Sequence, residues 1–357
     1  MRTCFVLTLL LLAGYTKTWS QQAAKVRFID ASELTLLGKA MPGSHRYHRV
    51  DTAVHKGLSA AENRQARSTA GLALVFSTNS SLIDVRAHYI WEHSANNMTG
   101  IASSGFDLYI KKNRQWIYAG TAVAKDRSQA IRIVENMDTT TKECLLYLPV
   151  YSELDQLSIG VDPDAVVKSM PNPFQFKTVF FGSSFTQGIS ASRPGMSYPM
   201  QLQRMLNLDV CNLGFSGNSK LQPYFANMLA TIQADAFVFD AFSNPSAAII
   251  SQRLAPFIEK LVKAHPKTPL IFVETIHRGR ANFNTKIQAY EAAKRDTARS
   301  IIKEYTRRYP NVHLVENPLP ESQSGDTSAD GVHPSDMGYQ LWAQNLSKQL
   351  IKLLHLR

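Results

Sequence analysis

Apolar residues follow two different rhythms along this chain. Between about 22 and 165 they fall in short runs, several alternating with polar residues, with turn formers between them. The runs 73–77, 83–91, 106–110, 115–119, 130–134 and 144–148 are of this kind. In 83–91, Val85, Ala87, Tyr89 and Trp91 share one face, the two-residue period of a half-buried strand. Regular short strands with little helix predict a β-sandwich. Asn113, between Tyr109 and Trp116, predicts a hairpin turn.

From Phe176 onward the rhythm changes. Continuous apolar runs at 177–181, 209–213, 236–240, 269–273 and 312–315 alternate with longer segments of helical spacing at 197–207, 221–233, 246–264, 285–308 and 336–355. In 246–264, Ile249, Ile250, Leu254, Phe257, Ile258 and Leu261 form one helical stripe. This alternation predicts a parallel sheet covered by helices on both faces. The breakers Asp162, Pro163, Asp164, Pro171, Asn172 and Pro173 predict a linker between the two textures. Two domains are therefore expected, 21–170 and 171–357, which suits a length of 357 residues.

Residues 1–20 stand apart. Arg2, an apolar run over 5–13, and small residues at Thr18 and Ser20 have the layout of a secretory signal peptide. The run is well short of the roughly 20 residues that a membrane span needs. An exported protein without stable membrane insertion is expected. Cys144 and Cys211, both in strand-like apolar runs, are expected as buried free thiols.

In a parallel α/β sheet, function gathers at the carboxyl ends of the strands. The first strand is followed by Gly182, Ser183, Ser184, Phe185, Thr186, Gln187 and Gly188. A serine placed there is presented at the start of a helix, where backbone N–H groups favour negative charge; a polar turn with a helix cap is the plainer reading. The second strand is followed by Asn212 to Asn218, including Gly217, and the third by Asp240 to Pro245, including Asn244. Each is a turn, or a source of the glycine N–H and asparagine amide that stabilise an oxyanion. Near the end stand Asp330, Gly331, Val332, His333 and Pro334. The Asp-x-x-His spacing lets a carboxylate reach an imidazole across a short turn and set its tautomer. Serine, aspartate and histidine at separate strand ends supply a nucleophile, an orienting group and a base.

These four blocks resemble the SGNH (GDSL-type) hydrolases over about 177–355. The first block departs from Gly-Asp-Ser-Leu, with Ser183 in the Asp place and Phe185 in the Leu place. The tract Phe181 to Met196 with Asn212 to Asn218 is similar to one branch of that family, which carries an N-terminal Gly-x-Asp-Leu-Tyr β-sandwich. Gly105, Phe106, Asp107, Leu108 and Tyr109 match that motif in the expected half. The resemblance implies an α/β fold: a three-layer α/β/α domain with a parallel sheet, preceded by a jelly-roll-like sandwich. It also implies Ser184 as nucleophile, His333 as base and Asp330 as its orienter. The oxyanion hole it implies uses the N–H groups of Ser184 and Gly217 with the Asn244 side chain.

The activity so implied is hydrolysis of short acyl esters, acetyl first, on a small molecule or glycan. Alternatives are an acyltransferase on the same triad and a catalytically inactive glycan-binding protein. Arg193, His277, Arg278 and Arg280 fall in loops after strands and are candidate contacts to an acidic sugar, or solvated loop charge. Trp91, Tyr109, Trp116 and Tyr118 are a candidate sugar-stacking face, or core. Glu274 is a pocket wall residue or a buried anchor. No His-Glu-x-x-His or clustered Cys/His set occurs, and no metal or cofactor is expected.

Composition and charge refine this only slightly. At 44% hydrophobic and 19% charged the chain is of ordinary globular make-up. Its net charge of +11 invites a nucleic-acid reading, but much of the excess falls on 285–308, which carries Lys286, Lys294, Arg295, Arg299, Lys303, Arg307 and Arg308. That segment reads as a solvated outer face, and no nucleic-acid partner is expected.

Overall fold

The computed structural model describes residues 25–123, 129–319 and 325–356. The expected signal segment 1–20 lies outside them. No helix among the described residues is long and apolar enough to cross a membrane.

The N-terminal region is built from two antiparallel sheets. Its elements are β1 (Arg27–Asp30), β2 (Thr35–Leu37), α1 (Ala60–Arg67), β3 (Ala73–Thr78), β4 (Ile83–Trp91), α2 (Gly100–Ser104), β5 (Phe106–Lys112), β6 (Gln115–Ala122), β7 (Ile131–Val134), β8 (Lys142–Tyr147), β9 (Glu153–Val161) and β10 (Val167–Ser169). One sheet runs β1-β9-β4-β7. The other runs β10-β3-β8-β5-β6, with β2 also on β3. Leu74, Phe76, Leu108 and Leu146 of the larger sheet pack on Val85, Leu157 and Ile159 of the smaller one. The β5–β6 hairpin turns at Asn113 and Arg114, both at positive φ, as a two-residue turn matched to strand twist requires. The segment expected as a linker contributes β10, which pairs with β3.

The C-terminal region is a five-stranded parallel sheet, β11 (Gln175–Gly182), β12 (Leu208–Gly214), β13 (Ala236–Asp240), β14 (Leu270–Val273) and β15 (Val312–Val315), ordered β12-β11-β13-β14-β15. Its helices are α3 (Ser184–Gln187), α4 (Tyr198–Leu206), α5 (Pro223–Leu229), α6 (Ala247–Ala264), α7 (Thr285–Arg308) and α8 (Asp336–Leu354). Because the strands are covered on both faces, their central stretches are continuous apolar runs, such as 179–181 and 236–239. Val179, Phe181, Phe237 and Phe239 pack under α5, α6 and α7, through Phe225, Phe257 and Ile302. Phe180, Val238 and Ile271 face α4 and α8, through Tyr198, Trp342 and Leu346. This second core extends into the sandwich, taking in Ala73, Val75, Tyr109 and Tyr147. Cys144 and Cys211 are buried free thiols, one in each region.

The Gly-x-Asp-Leu-Tyr motif sits at the seam. A Cβ at Gly105 would lie 2.6 Å from the Ile101 carbonyl and 2.7 Å from that of Ala122, so the chain there admits only glycine. Leu108 enters the sandwich core. Asp107 is fully buried. Its carboxylate accepts both contacts of Arg193 Nη1, at 2.9 and 2.8 Å, and the Gly195 N–H at 2.8 Å. Tyr109 Oη lies 2.5 Å from the same guanidinium, which also covers the Tyr118 ring at 4.3 Å. Arg193 was expected as a substrate contact; its guanidinium is instead committed to the sandwich, because a carboxylate without water needs a cation and donors. Burial pushes the Asp107 carboxyl up, and Arg193 and the Gly195 N–H oppose the rise.

Of the four aromatics expected as one stacking face, Trp91 lies apart on the other sheet, while Tyr109, Trp116 and Tyr118 share one side of the β5–β6 pair. Trp91 meets Arg64 and His93, Tyr109 packs edge-on to Tyr118 and Tyr147, and Trp116 lies against Phe174.

Arg193→Met should cost roughly 3–5 kcal/mol, since it leaves Asp107 buried without its cation. Urea unfolding should show this as a lower midpoint, partly restored in the Asp107→Asn/Arg193→Met double variant. A double variant no more stable than the single one would show that the buried charge is not the cause.

Candidate active site

The strand register brings three loops together. Gly182 of β11 pairs with Gly214 of β12 on one side and Asp240 of β13 on the other. The loops that follow these residues therefore open side by side at one edge of the sheet.

The first loop carries two serines with different surroundings. Ser183 caps α3: its Oγ accepts from the Phe185 N–H at 3.2 Å and donates to Asp240 Oδ2 at 3.0 Å. Thr186 Oγ1 donates to the same oxygen at 3.0 Å. That packing needs Gly182, since a Cβ there would lie 2.2 Å from Thr186 Oγ1. Burial raises the Asp240 pKa to about 6 against these donors, and its Oδ1 has no hydrogen-bond partner. Ser183 thus faces inward onto a buried carboxyl. Ser184 faces the other way: its Oγ lies 3.1 Å from His333 Nε2.

His333 Nδ1 lies 2.8 Å from Asp330 Oδ2. Asp330 Oδ1 accepts the backbone N–H groups of Val332 at 2.9 Å and His333 at 2.8 Å, which Gly331 allows by taking φ +79°. An acceptor at Nδ1 selects the tautomer with hydrogen there, leaving the Nε2 lone pair for the Ser184 hydroxyl. Asn97 of the sandwich donates from Nδ2 to Asp330 Oδ2 at 2.9 Å. Burial raises the Asp330 pKa, but the His333, Asn97 and Val332 donors outweigh it and hold the carboxyl well below the usual carboxylate range. Burial lowers the His333 pKa; Asp330 opposes that, and Arg278 and Arg280 add to it.

The second loop is tied to the first. Phe215 N–H donates to the Gly182 carbonyl at 2.8 Å and Ser216 N–H to Gln187 Oε1 at 3.0 Å. Gly217 follows at φ +71°, and the space its missing side chain would fill is open. In the third loop, the Ser243 carbonyl beside Asn244 accepts from Arg278 Nη2 at 2.7 Å and Lys294 Nζ at 2.9 Å.

Two expectations change here. Arg278, a candidate substrate contact, holds the Asn244 loop and lies 3.5 Å from Glu291. Lys294, assigned to a solvated face, is 1% exposed and anchors the same loop from α7. Both cations are drawn in by a carbonyl that needs donors. Glu274 is a buried anchor, paired to Arg299 at 2.6 Å. His277 stays at the loop surface with Nε2 2.7 Å from Asn282 Oδ1. The residues sequence reasoning did not single out are Asn97, Asp240 and Lys294. Asn97 and Lys294 act on partners 233 and 51 positions away, which no local spacing reveals.

A parallel α/β sheet that presents a serine, a histidine and an aspartate in one hydrogen-bonded series has the build of a serine hydrolase. Comparison with known proteins narrows the class. The model of the GDSL-like lipase/acylhydrolase family matches residues 175–351, and that of the N-terminus of SGNH-hydrolase-type esterases matches 26–167. A crystal structure of a protein from Bacteroides ovatus, described as a GDSL-like lipase, is 36% identical, with TM-score 0.90 over 93% of this chain and 99% of that one. A salicylyl-acyltransferase from a tetracycline biosynthetic pathway shares 17% identity, with TM-score 0.70 over 93% and 99%. A family two carbohydrate esterase from Cellvibrio japonicus shares 14%, with TM-score 0.60 over 93% and 99%. One from Clostridium thermocellum, in complex with cellohexaose, shares 13%, with TM-score 0.60 over 79% and 92%. No curated protein matches. The chain belongs to the GDSL-like lipase/acylhydrolase family and is a carboxylic-ester hydrolase.

On the expectation that His333 is the general base, the reaction needs its neutral imidazole. Since burial holds the His333 pKa below its ordinary value, activity should persist as the pH falls into the ordinary histidine range and be lost only below it. The acid limb of kcat/KM, measured on p-nitrophenyl acetate, checks this. A limb above the ordinary histidine value would contradict it.

Proposed function

We propose that the protein is an exported serine esterase that removes short acyl groups, acetyl first, from carbohydrates. The observation that carries the reaction is the series from Ser184 Oγ to His333 Nε2 at 3.1 Å and from His333 Nδ1 to Asp330 Oδ2 at 2.8 Å. On this reading Ser184 attacks the ester carbonyl while His333 takes its proton. The N–H groups of Ser184 and Gly217 and the Asn244 amide hold the oxyanion. His333 then protonates the departing alkoxide, and the acyl-enzyme is released by a water that His333 activates in turn. Asp330 holds the tautomer throughout and stabilises the imidazolium. The cations on the Ser243 carbonyl support Asn244 in this role, and His277 is the loop residue assigned to substrate.

The carbohydrate assignment is supported by the architecture shared with carbohydrate esterases, one of them in complex with cellohexaose. A short acyl group is favoured because the hollow beside His333, lined by Ile276, His277, Leu319 and Val332 among others, is only about 20 Å³ in volume and offers no room on that side for a long chain. Export is supported by the pattern of residues 1–20. The working domains are 21–170 and 171–357, with no metal or cofactor assigned to the reaction.

Ser184→Ala should lower kcat on p-nitrophenyl acetate by roughly 10⁴-fold or more. It should also abolish labelling by a fluorophosphonate. Ser183→Ala loses one bond to Asp240 and should keep most of the activity. If the two results exchange, the nucleophile is Ser183. Asn244→Ala should lower kcat about 10²–10³-fold without unfolding; an unchanged kcat removes it from the oxyanion hole. On substrates, acetate release from acetylated xylan and a fall in rate from acetyl to octanoyl esters are expected. Preference for long chains would overturn the carbohydrate assignment.

A further inference from the structure

Asn97 comes from the sandwich, in the loop between β4 and α2, yet its amide reaches the carboxylate that holds the histidine. Nδ2 lies 2.9 Å from Asp330 Oδ2 and 3.3 Å from His333 Nδ1. Asp330 Oδ2 therefore accepts two donors, one from each region of the molecule, while Oδ1 is filled by the Val332 and His333 N–H groups. Since Nδ1 donates to Asp330, the contact at 3.3 Å sets two donors side by side around one oxygen.

The loop bearing Asn97 is fastened to the hydrolase region. Met98 packs against a small cluster in which Ile189 of the hydrolase region joins Ala70, Val150 and Tyr151. Thr99 Oγ1 donates to the Ser192 carbonyl at 2.6 Å, and Ser192 in turn donates from N and Oγ to Asp336 at 2.9 and 2.5 Å. Asp336 begins α8, three residues after His333. The amide of Asn97 is thereby set against the loop of the triad from outside the sheet.

We infer that Asn97 is a positioning residue for the Asp330–His333 pair, so that the N-terminal sandwich completes the hydrolytic site. The inference rests on the Ser184–His333–Asp330 reading above. Its first effect is orientation: with both Asp330 oxygens doubly bonded, the carboxylate cannot swing away from Nδ1. Its second is electrostatic. The amide hydrogens share the Asp330 charge and press their positive ends toward the imidazole ring, which disfavours imidazolium. The other groups facing His333 are Asp330 from its own loop, Arg278 and Arg280 from the turn after β14, and the Ser184 hydroxyl and Phe185 ring from α3. Of these, the two arginines act in the same direction as Asn97 and Asp330 acts against it.

The test uses the full chain with Asn97→Ala, Asn97→Asp and Ser184→Ala, read by kcat and KM for p-nitrophenyl acetate across pH and by thermal midpoint. Asn97→Ala should lower kcat about tenfold, as loss of one hydrogen bond to a charged group predicts, with KM within about twofold. The acid limb should move to higher pH in the order wild type, Ala, Asp, because removing the donor and then adding a negative charge progressively favours imidazolium. Asn97→Asp is nearly isosteric, so this order is readable even if Asn97→Ala destabilises the fold. A fall in kcat with the acid limb unmoved in both variants would reduce Asn97 to a structural contact, and unchanged kcat would overturn the inference. If Ser184→Ala retains activity, the failure lies in the triad reading instead.

Discussion

Asp107 cannot be buried alone. A fully buried carboxylate must find a cation and donors or remain protonated, and the partners here come from across the seam between the two regions: the Arg193 guanidinium and the Gly195 N–H. Meeting that demand fixes the 192–196 segment against the sandwich. The same segment carries Ser192, which accepts from Thr99 and donates to Asp336 at the start of α8. One unavoidable pairing thus aligns the sandwich loop, the α3–α4 connection and the helix after His333. Arg193 and Asn97 belong to opposite sides of this seam, and each reaches into the other's territory.

At the sheet edge the governing constraint is space. Two glycines end adjacent strands because what lies behind them is already filled. A Cβ on Gly182 would strike Thr186 Oγ1, and one on Gly214 would lie 2.2 Å from the Gln187 nitrogen. The turn bearing Ser184 is therefore packed from below by the Asp240 carboxyl and from the side by the Phe215 loop. Its hydroxyl is left facing His333. On the proposed reading, the preorganisation that oxyanion stabilisation requires comes from this packed floor. The cationic support for the third loop, from Arg278 and Lys294, belongs to the same floor.

Much of this was legible in the sequence. The parallel strands are continuous apolar runs because both faces are covered, and 236–240 and 312–315 match the observed strands residue for residue. The Ser184, Asp330 and His333 blocks were legible because each has local form: a serine after a strand, and an aspartate three residues before a histidine. β9 was not, since Leu154 and Leu157 stand three apart across Asp155 and Gln156, which leaves only Leu157, Ile159 and Val161 in a two-residue period, even though the strand lies between two others. α1 was not, because it holds almost no apolar stripe and is stabilised by the Ser59–Glu62 capping box. Lys294 looked like one more charge on a basic helix, and only the fold shows the Ser243 carbonyl above it. Asn97 had no motif to betray it; its meaning lies wholly in a carboxylate that another part of the chain brings within reach.

The two cysteines have a consequence of a different kind. Burial pushes both thiols up to about 12, and the reactive species is the thiolate. Buried at 0% and 1% exposure, the two thiols are shielded in the native molecule from alkylating reagents and oxidants. Each becomes reactive only when its own region opens. Cys144 reports the sandwich and Cys211 the parallel sheet, so nature has left one silent clock in each half of a molecule whose halves share a core.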